Sequence, residues 1–229
     1  MKRTLSLLLT AVILFSGCGL KKQLTAFGLY SKAASDISKA GGMEAECDIT
    51  IDLGILASSL SMNLKQNGDN SEVVVYMAGE EVSRSTTYDG VTYLSSNGAK
   101  TKSAAEPSSS GTGSSAIPKL AEELFDGVEI VNTDTGKSLT VSIDSDTFSS
   151  LMESFSGASP DLSFDDAVLT MNFDENDSIT GMELSANATM AISDISMDAL
   201  ITADYKFINL GKAPEISPPE DADKYIEAK

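Results

Sequence analysis

Polar and apolar residues alternate one for one along MEAECDITIDL, residues 43–53. Met43, Ala45, Cys47, Ile49, Ile51 and Leu53 share one side, and Glu44, Glu46, Asp48, Thr50 and Asp52 share the other. A period of two puts successive side chains on opposite faces of a pleated strand, so this segment predicts a strand with one buried and one wetted face. A slip of one residue would bury the charges, which pins the register and predicts Ile49 and Ile51 buried with Asp48 and Thr50 exposed. The same period marks residues 56–65, 72–79, 82–88 and 91–96, with Asp89-Gly90 as a hairpin turn between the last two. Further on, residues 128–132 and 137–144 predict two strands around an Asp-Thr-Gly turn. Residues 167–173, 179–192 and 195–210 predict three long ones. Ten strands result.

The period lengthens to three and four in three places. Leu24, Phe27, Tyr30, Ala34 and Ile37 form one stripe of a helix over 24–39, stopped at Gly41-Gly42. Residues 117–127 predict a short helix with Pro118 in its first turn and Gly127 as its stop. Phe148, Leu151, Met152 and Phe155 predict a helix over 145–156, capped by Asp144 or Ser145. Residues 103–116, SAAEPSSSGTGSSA, lack large apolar side chains and predict a poorly ordered loop. The proline-rich 213–225 predicts an irregular strap. One curved sheet with helices on its apolar face buries every stripe at once; two domains divided at the Ser-rich stretch are the alternative.

The first residues place the chain in a cell. Lys2 and Arg3, the apolar run 4–15 and the small pair Ser16-Gly17 form a secretory signal over 1–17. The run is too short to span a bilayer as an ordinary helix, which takes about 20 residues. Cys18 directly behind it resembles the bacterial lipobox cysteine, which is diacylated and becomes the new N-terminus, leaving 18–23 as a lipidated tether. Two acyl chains, at about 0.8 kcal/mol per buried CH₂, hold a protein to a membrane stably. The expected location is therefore the cell membrane, lipid-anchored on its extracytoplasmic face. Lys21 and Lys22 are placed to touch lipid head groups or to serve as solvated tether.

Charge and chemistry narrow the function. The formal charge is −18 and falls by two more when Lys2 and Arg3 are removed, so nucleic acid is not a partner. With Cys18 acylated, Cys47 has no partner for a disulfide and reads as a small core residue. The chain has no histidine, which removes the usual general base and the commonest zinc ligand. It has no GxSxG elbow, phosphate loop or HExxH. No enzyme, cofactor or metal is expected; DENDS, 174–178, has acidic oxygens but lacks a calcium loop's glycine and distal glutamate, and reads as a hairpin turn.

The lipobox, the helix, MEAECDITIDL, YDGVTYL (88–94), SLTVSID (138–144) and ITADYKFINLGKAPEISPP (201–219) together resemble the LolA/LolB/LppX-like superfamily of envelope lipid and lipoprotein carriers, and within it the LolA-like lipoproteins of Gram-positive bacteria. The resemblance covers nearly the whole mature chain. It implies an α+β fold over 24–229: an incomplete, highly curved antiparallel β-barrel, with an N-terminal helix and short helices covering the apolar face and a cavity for acyl chains beneath. Unlike the Lol carriers, this chain offers a single arginine after its signal, Arg84. Methionine accepts irregular apolar partners, and alanines at 186, 188, 199 and 203 leave room. The expected cavity lining is Ile49, Ile51, Met62, Met171, Met182, Leu184, Met190, Met197 and Ile201. The expected function is binding an apolar, acyl-chain-like ligand, or an apolar segment of a partner protein. The alternative is a non-enzymatic envelope scaffold with a filled core, meeting an envelope protein through its acidic surface.

Overall fold

The computed structural model describes residues 24–105, 119–156, 162–192 and 195–228. The signal, the whole tether with Cys18, and residues 106–116 of the Ser-rich stretch lie outside the described residues.

Among the described residues, twelve strands form one curved, unclosed sheet. A first meander runs through β1 (Gly42–Asp52), β2 (Ala57–Asn67), β3 (Asn70–Met77), β4 (Glu80–Tyr88), β5 (Val91–Ser96) and β6 (Ala99–Ala104). A second runs through β7 (Val131–Thr133), β8 (Gly136–Ile143), β9 (Leu162–Asp174), β10 (Ile179–Ile192) and β11 (Ile195–Leu210). The two are joined where β1 pairs with β11, from Met43 opposite Leu210 to Asp52 opposite Leu200. All ladders are antiparallel except that of β12 (Ile226–Glu227), which adds parallel to the outer edge of β6. The count exceeds the ten expected because β6, AKTKSA, is too polar and β12, two residues, too short to carry an alternating signal.

Helix α1 (Ala26–Lys39) starts at Thr25, whose Oγ1 accepts a hydrogen bond from the Gly28 amide at 3.0 Å. Its buried stripe is Ala26, Leu29, Tyr30, Ala33 and Ile37. Leu24 stands before the cap and Phe27 is half-buried, so the stripe is rotated slightly from the one expected. Helix α2 (Ser145–Ser156) begins after Asp144, whose carboxylate accepts the Thr147 amide at 2.9 Å. The helix expected over 117–127 is, in its described part, a single 3-10 turn at Glu122–Phe125. Gly127 at φ +76° ends it before an α-helix can propagate. The strand expected at 128–132 pairs only from Val131 onward.

The face of the sheet that carries α1 and α2, hereafter the inner face, holds the core. Leu29, Tyr30 and Ala33 of α1 meet Leu139, Val141, Ile143, Ala167, Leu169, Met171 and Met182, with Phe125 and Phe148 filling between. Phe125 stacks at 4.9 Å from the Tyr30 ring, and the Tyr30 hydroxyl accepts the Leu120 amide at 2.8 Å. Every sheet residue of this core is on β1 or on β8–β10, and none is on β2–β6. Among the described residues the helical cover therefore reaches over the second meander and the start of β1, and leaves β2–β6 uncovered.

The tail crosses the opposite, outer face of the first meander. Asn67 donates to the Pro214 carbonyl at 3.0 Å, Lys100 pairs with Asp221, and the Tyr225 ring stands edge-on to Tyr93 at 5.4 Å. The strap passes so close to the start of β1 that a Cβ on Gly42 would lie 2.3 Å from the Ala213 Cα. Only glycine fits there.

Candidate functional site: the inner face of the sheet

Antiparallel register arranges the inner face in rows that cross the strands. One row runs Leu139, Met171, Met182, Tyr205, Cys47, Met62, Val75, Ser83, Ser96, Ala99 from β8 to β6. Its neighbour runs Val141, Leu169, Leu184, Ala203, Ile49, Leu60, Met77. Each row starts in the core under the helices and ends on uncovered sheet. Along the first, side chains change from large and buried to half-buried Met62 and Val75, and then to serines.

The nine expected lining residues divide along the same gradient. Met171 and Met182 are buried in the core, and Leu184 packs against it. These three fill space instead of bordering it. Ile49, Ile51, Met62, Met190, Met197 and Ile201 are half-buried and outside the core cluster. For Ile49 and Ile51 this corrects the expectation of full burial: among the described residues no helix packs on them, and both are half-buried. Asp48 is exposed as expected, whereas Thr50 is half-buried because its hydroxyl lies against Ser59 at 3.4 Å. Ala188 and Ala199 face each other across β10 and β11 and are buried. Beyond Met62 the face continues through Leu64, Val73 and Val75 to a field of hydroxyls, Ser85, Thr87, Thr92 and Thr101. Strand β6 and this hydroxyl border had no sequence signal beyond the Asn97-Gly98 turn.

The inner face is electrically quiet. Apart from Glu80 at the tip of the β3–β4 hairpin, the register sends the charged side chains of β1–β6, β10 and β11 outward. Its titratable groups on β1 and β11 are Cys47 and Tyr205. Burial, then the Asp48 and Asp204 carboxylates, push the Cys47 thiol up to about 11. Burial likewise pushes the Tyr205 hydroxyl up to about 12. Both are neutral at physiological pH. The arrangement offers apolar contact and hydroxyl donors, without an acid, a base or an activated nucleophile.

Charge collects on the outer face. Glu183, Asp204 and Asp48 lie side by side across β10, β11 and β1. Arg84 is there too, bonded to Glu72 at 2.6 Å and to both carboxylate oxygens of Glu81 at 2.7 and 3.1 Å. It is thus tied into the sheet exterior, away from the inner face. In DENDS, the Asp174 carboxylate accepts its own turn's amides from Asn176 at 2.8 Å and Ser178 at 2.9 Å, and Asp177 pairs with Lys137. Among the described residues, no group of three His, Cys, Asp or Glu side chains is placed to share a metal ion.

Two cavities lie elsewhere. One of about 550 Å³ separates the start of α1 from residues 122–130. The other, about 470 Å³, lies between the strap and the outer face around Arg84 and Lys100. Neither touches any of the nine residues above. No described helix is long and apolar enough to cross a membrane.

No family model and no curated protein matches the sequence. Solved structures do match. LppX of Mycobacterium tuberculosis is 8% identical over 82% of this chain and 96% of its own, with a TM-score of 0.47. LprF of Mycobacterium bovis is 10% identical, covering 83% and 95%, at 0.39. A putative outer membrane lipoprotein-sorting protein domain from Vibrio parahaemolyticus is 10% identical, covering 86% and 95%, at 0.30. These neighbours are LolA/LppX-like proteins. The identities are low, each TM-score is under 0.5, and no residue role passes from these proteins to this chain.

Proposed function

We propose that this chain is a non-enzymatic extracytoplasmic lipoprotein, anchored through acylated Cys18, that holds an acyl-chain-like ligand on the uncovered part of its inner face. The observation that carries this reading is the coincidence of three properties on one surface. It is apolar at Ile49, Ile51, Met62, Met190, Met197 and Ile201. It carries no charge on β1, β2, β10 or β11. It lies beside, and not beneath, the helical cover. A buried anion would find no cation here, so the ligand's contacting part is uncharged. Small Ala188 and Ala199 form the floor.

The test is binding of a fluorescent fatty acid to the chain from residue 19, which keeps every described element. Saturable binding that Ala199→Phe abolishes, with the folded state intact, supports the reading. Absence of binding, with Ala199→Phe costing several kcal/mol through overpacking, sinks it. The scaffold reading then stands in its place. One observation bears on that second reading: Glu183, Asp204 and Asp48 lie opposite one another on the outer face with only Lys206, 3.2 Å from Asp204, as a nearby cation, so the row stays net acidic and suits a basic partner surface.

A further inference from the structure

The turn between β1 and β2 differs from the other hairpin turns of the sheet. Residues 68–69, 89–90, 97–98, 134–135 and 175–178 are all Gly, Asp, Asn, Thr, Glu or Ser, the usual polar turn chemistry, and the β3–β4 turn is Ala78-Gly79, without a large apolar side chain. Between β1 and β2 the chain instead places Leu53, Gly54, Ile55 and Leu56. This turn is held in shape: the Asp52 carboxylate accepts the Gly54 amide at 2.7 Å, and the Leu53 amide donates to the Leu56 carbonyl at 2.9 Å. Yet Ile55 is 92% exposed and Leu56 64%. No charged residue occurs between Asp52 and Lys65. Met77, 48% exposed, ends β3 on the same side, two strands from β1 and opposite Leu60. The same end of the sheet carries Met190 and Met197 near the β10–β11 tip.

We propose that the Leu53–Leu56 turn, with Met77 beside it, is a membrane-docking tip that enters the interfacial layer of a lipid bilayer and sets the open end of the inner face against the lipid. A bilayer suits this feature better than a second copy of the chain does. The tip protrudes and needs no complementary pocket, and the exposed Ser58 and Ser59 directly behind it match the hydrated head-group layer. The acidic outer face behind them is repelled by anionic lipid, so the fitting surface is zwitterionic. The purpose of the tip rests on the lipid-binding reading above; its insertion is measured separately.

The chain from residue 19 carries Cys47 buried, so an Ile55→Cys variant takes an environment-sensitive fluorophore at position 55 alone. On phosphatidylcholine vesicles the label is expected to shift to the blue and to be quenched by lipid-borne quenchers. The same label at Asp69→Cys, at the opposite end of the sheet, is expected to stay in water. Ile55→Asp with Leu56→Asp should lower vesicle partitioning by about tenfold for each side chain, with an unchanged melting temperature. The proposal is overturned if the label at 55 does not respond or the double substitution leaves partitioning intact. It is equally overturned if binding requires anionic lipid and disappears with salt, or if the double substitution only converts a dimer to a monomer. A responding label in a chain that binds no fatty acid removes the ligand reading and keeps the tip; the reverse removes the tip and keeps the ligand reading.

Discussion

Cys47 is chemically silent by position. Its thiol is buried on the inner face and pushed up to about 11 by that burial and by Asp48 and Asp204, so little thiolate forms below strongly alkaline pH. A thiol reagent at pH 8 should leave the folded chain from residue 19 unmodified and react fully once denaturant is added; prompt reaction of the native form would contradict this placement. Asp174 behaves in the opposite sense, because the Ser178 amide first and the Asn176 amide next hold its carboxyl below the usual range. A carboxyl depressed in the folded state adds stability above its unfolded value, near 4, and that stability drains away as pH falls through the folded value. Asp174→Ala should therefore cost about 1 kcal/mol at neutral pH, the low end for a charged hydrogen bond open to solvent, and flatten the acid limb of the stability profile below about pH 4. The turn itself was legible from its residue types. Its bonds to Lys32 and Lys137 were not, since both partners come from elements distant in sequence. The methionines teach the same lesson. Met171 and Met62 alternate identically in their strands, yet one is fully buried and the other half-open. Met171→Ala should cost about 3 kcal/mol, whereas Met62→Ala should cost under about 1 kcal/mol and act mainly on ligand affinity.

Among the elements, β5, β10 and β11 match the ranges that alternation marked, β9 begins at Leu162 instead of 167, and β6 and β12 carried no signal. β10 and β11 span the residues that alternation marked, because a period of two accumulates over fourteen or more positions. β6, AKTKSA, is too polar for that pattern, with Lys100 and Lys102 facing the strap and Ala99 and Thr101 facing inward. Its strand character comes from its neighbours. The strap illustrates this further: residues 213–225 read as irregular, and they are, but nothing in their composition says which face they cross. Gly42 decides it, since only a bare Cα lets Ala213 pass on the outer side. Tyr225 is the strap's fastening, buried against Tyr93, with the Lys100 Nζ 5.5 Å from the ring centre. Tyr225→Ala should cost about 3 kcal/mol and, in hydrogen exchange, deprotect β6 before β10; uniform deprotection would show that the strap is not an independent fastening.

At the scale of the molecule, the alternating pattern conveys a sheet and its two faces, but not how far the helices extend over it. The stripe on α1 and the inner face of β2 are both apolar, and only the packed chain reveals that the helices lie over β8–β10 and the start of β1 and stop short of β2–β6. Cys18→Ser should release the protein from membranes or leave the precursor unprocessed, read by fractionation and by mapping the mature N-terminus. The pairing of β1 with β11 has one more consequence. Each meander is zipped by contacts near in sequence, and ten register pairs between β1 and β11 sew them together. A backbone cut between Ala105 and Lys119 breaks none of the described ladders. The two pieces should stay together after nicking and, made as separate chains, should find each other through that seam and through α1, which packs on β8–β10, with the tail of the second piece closing over the back of the first.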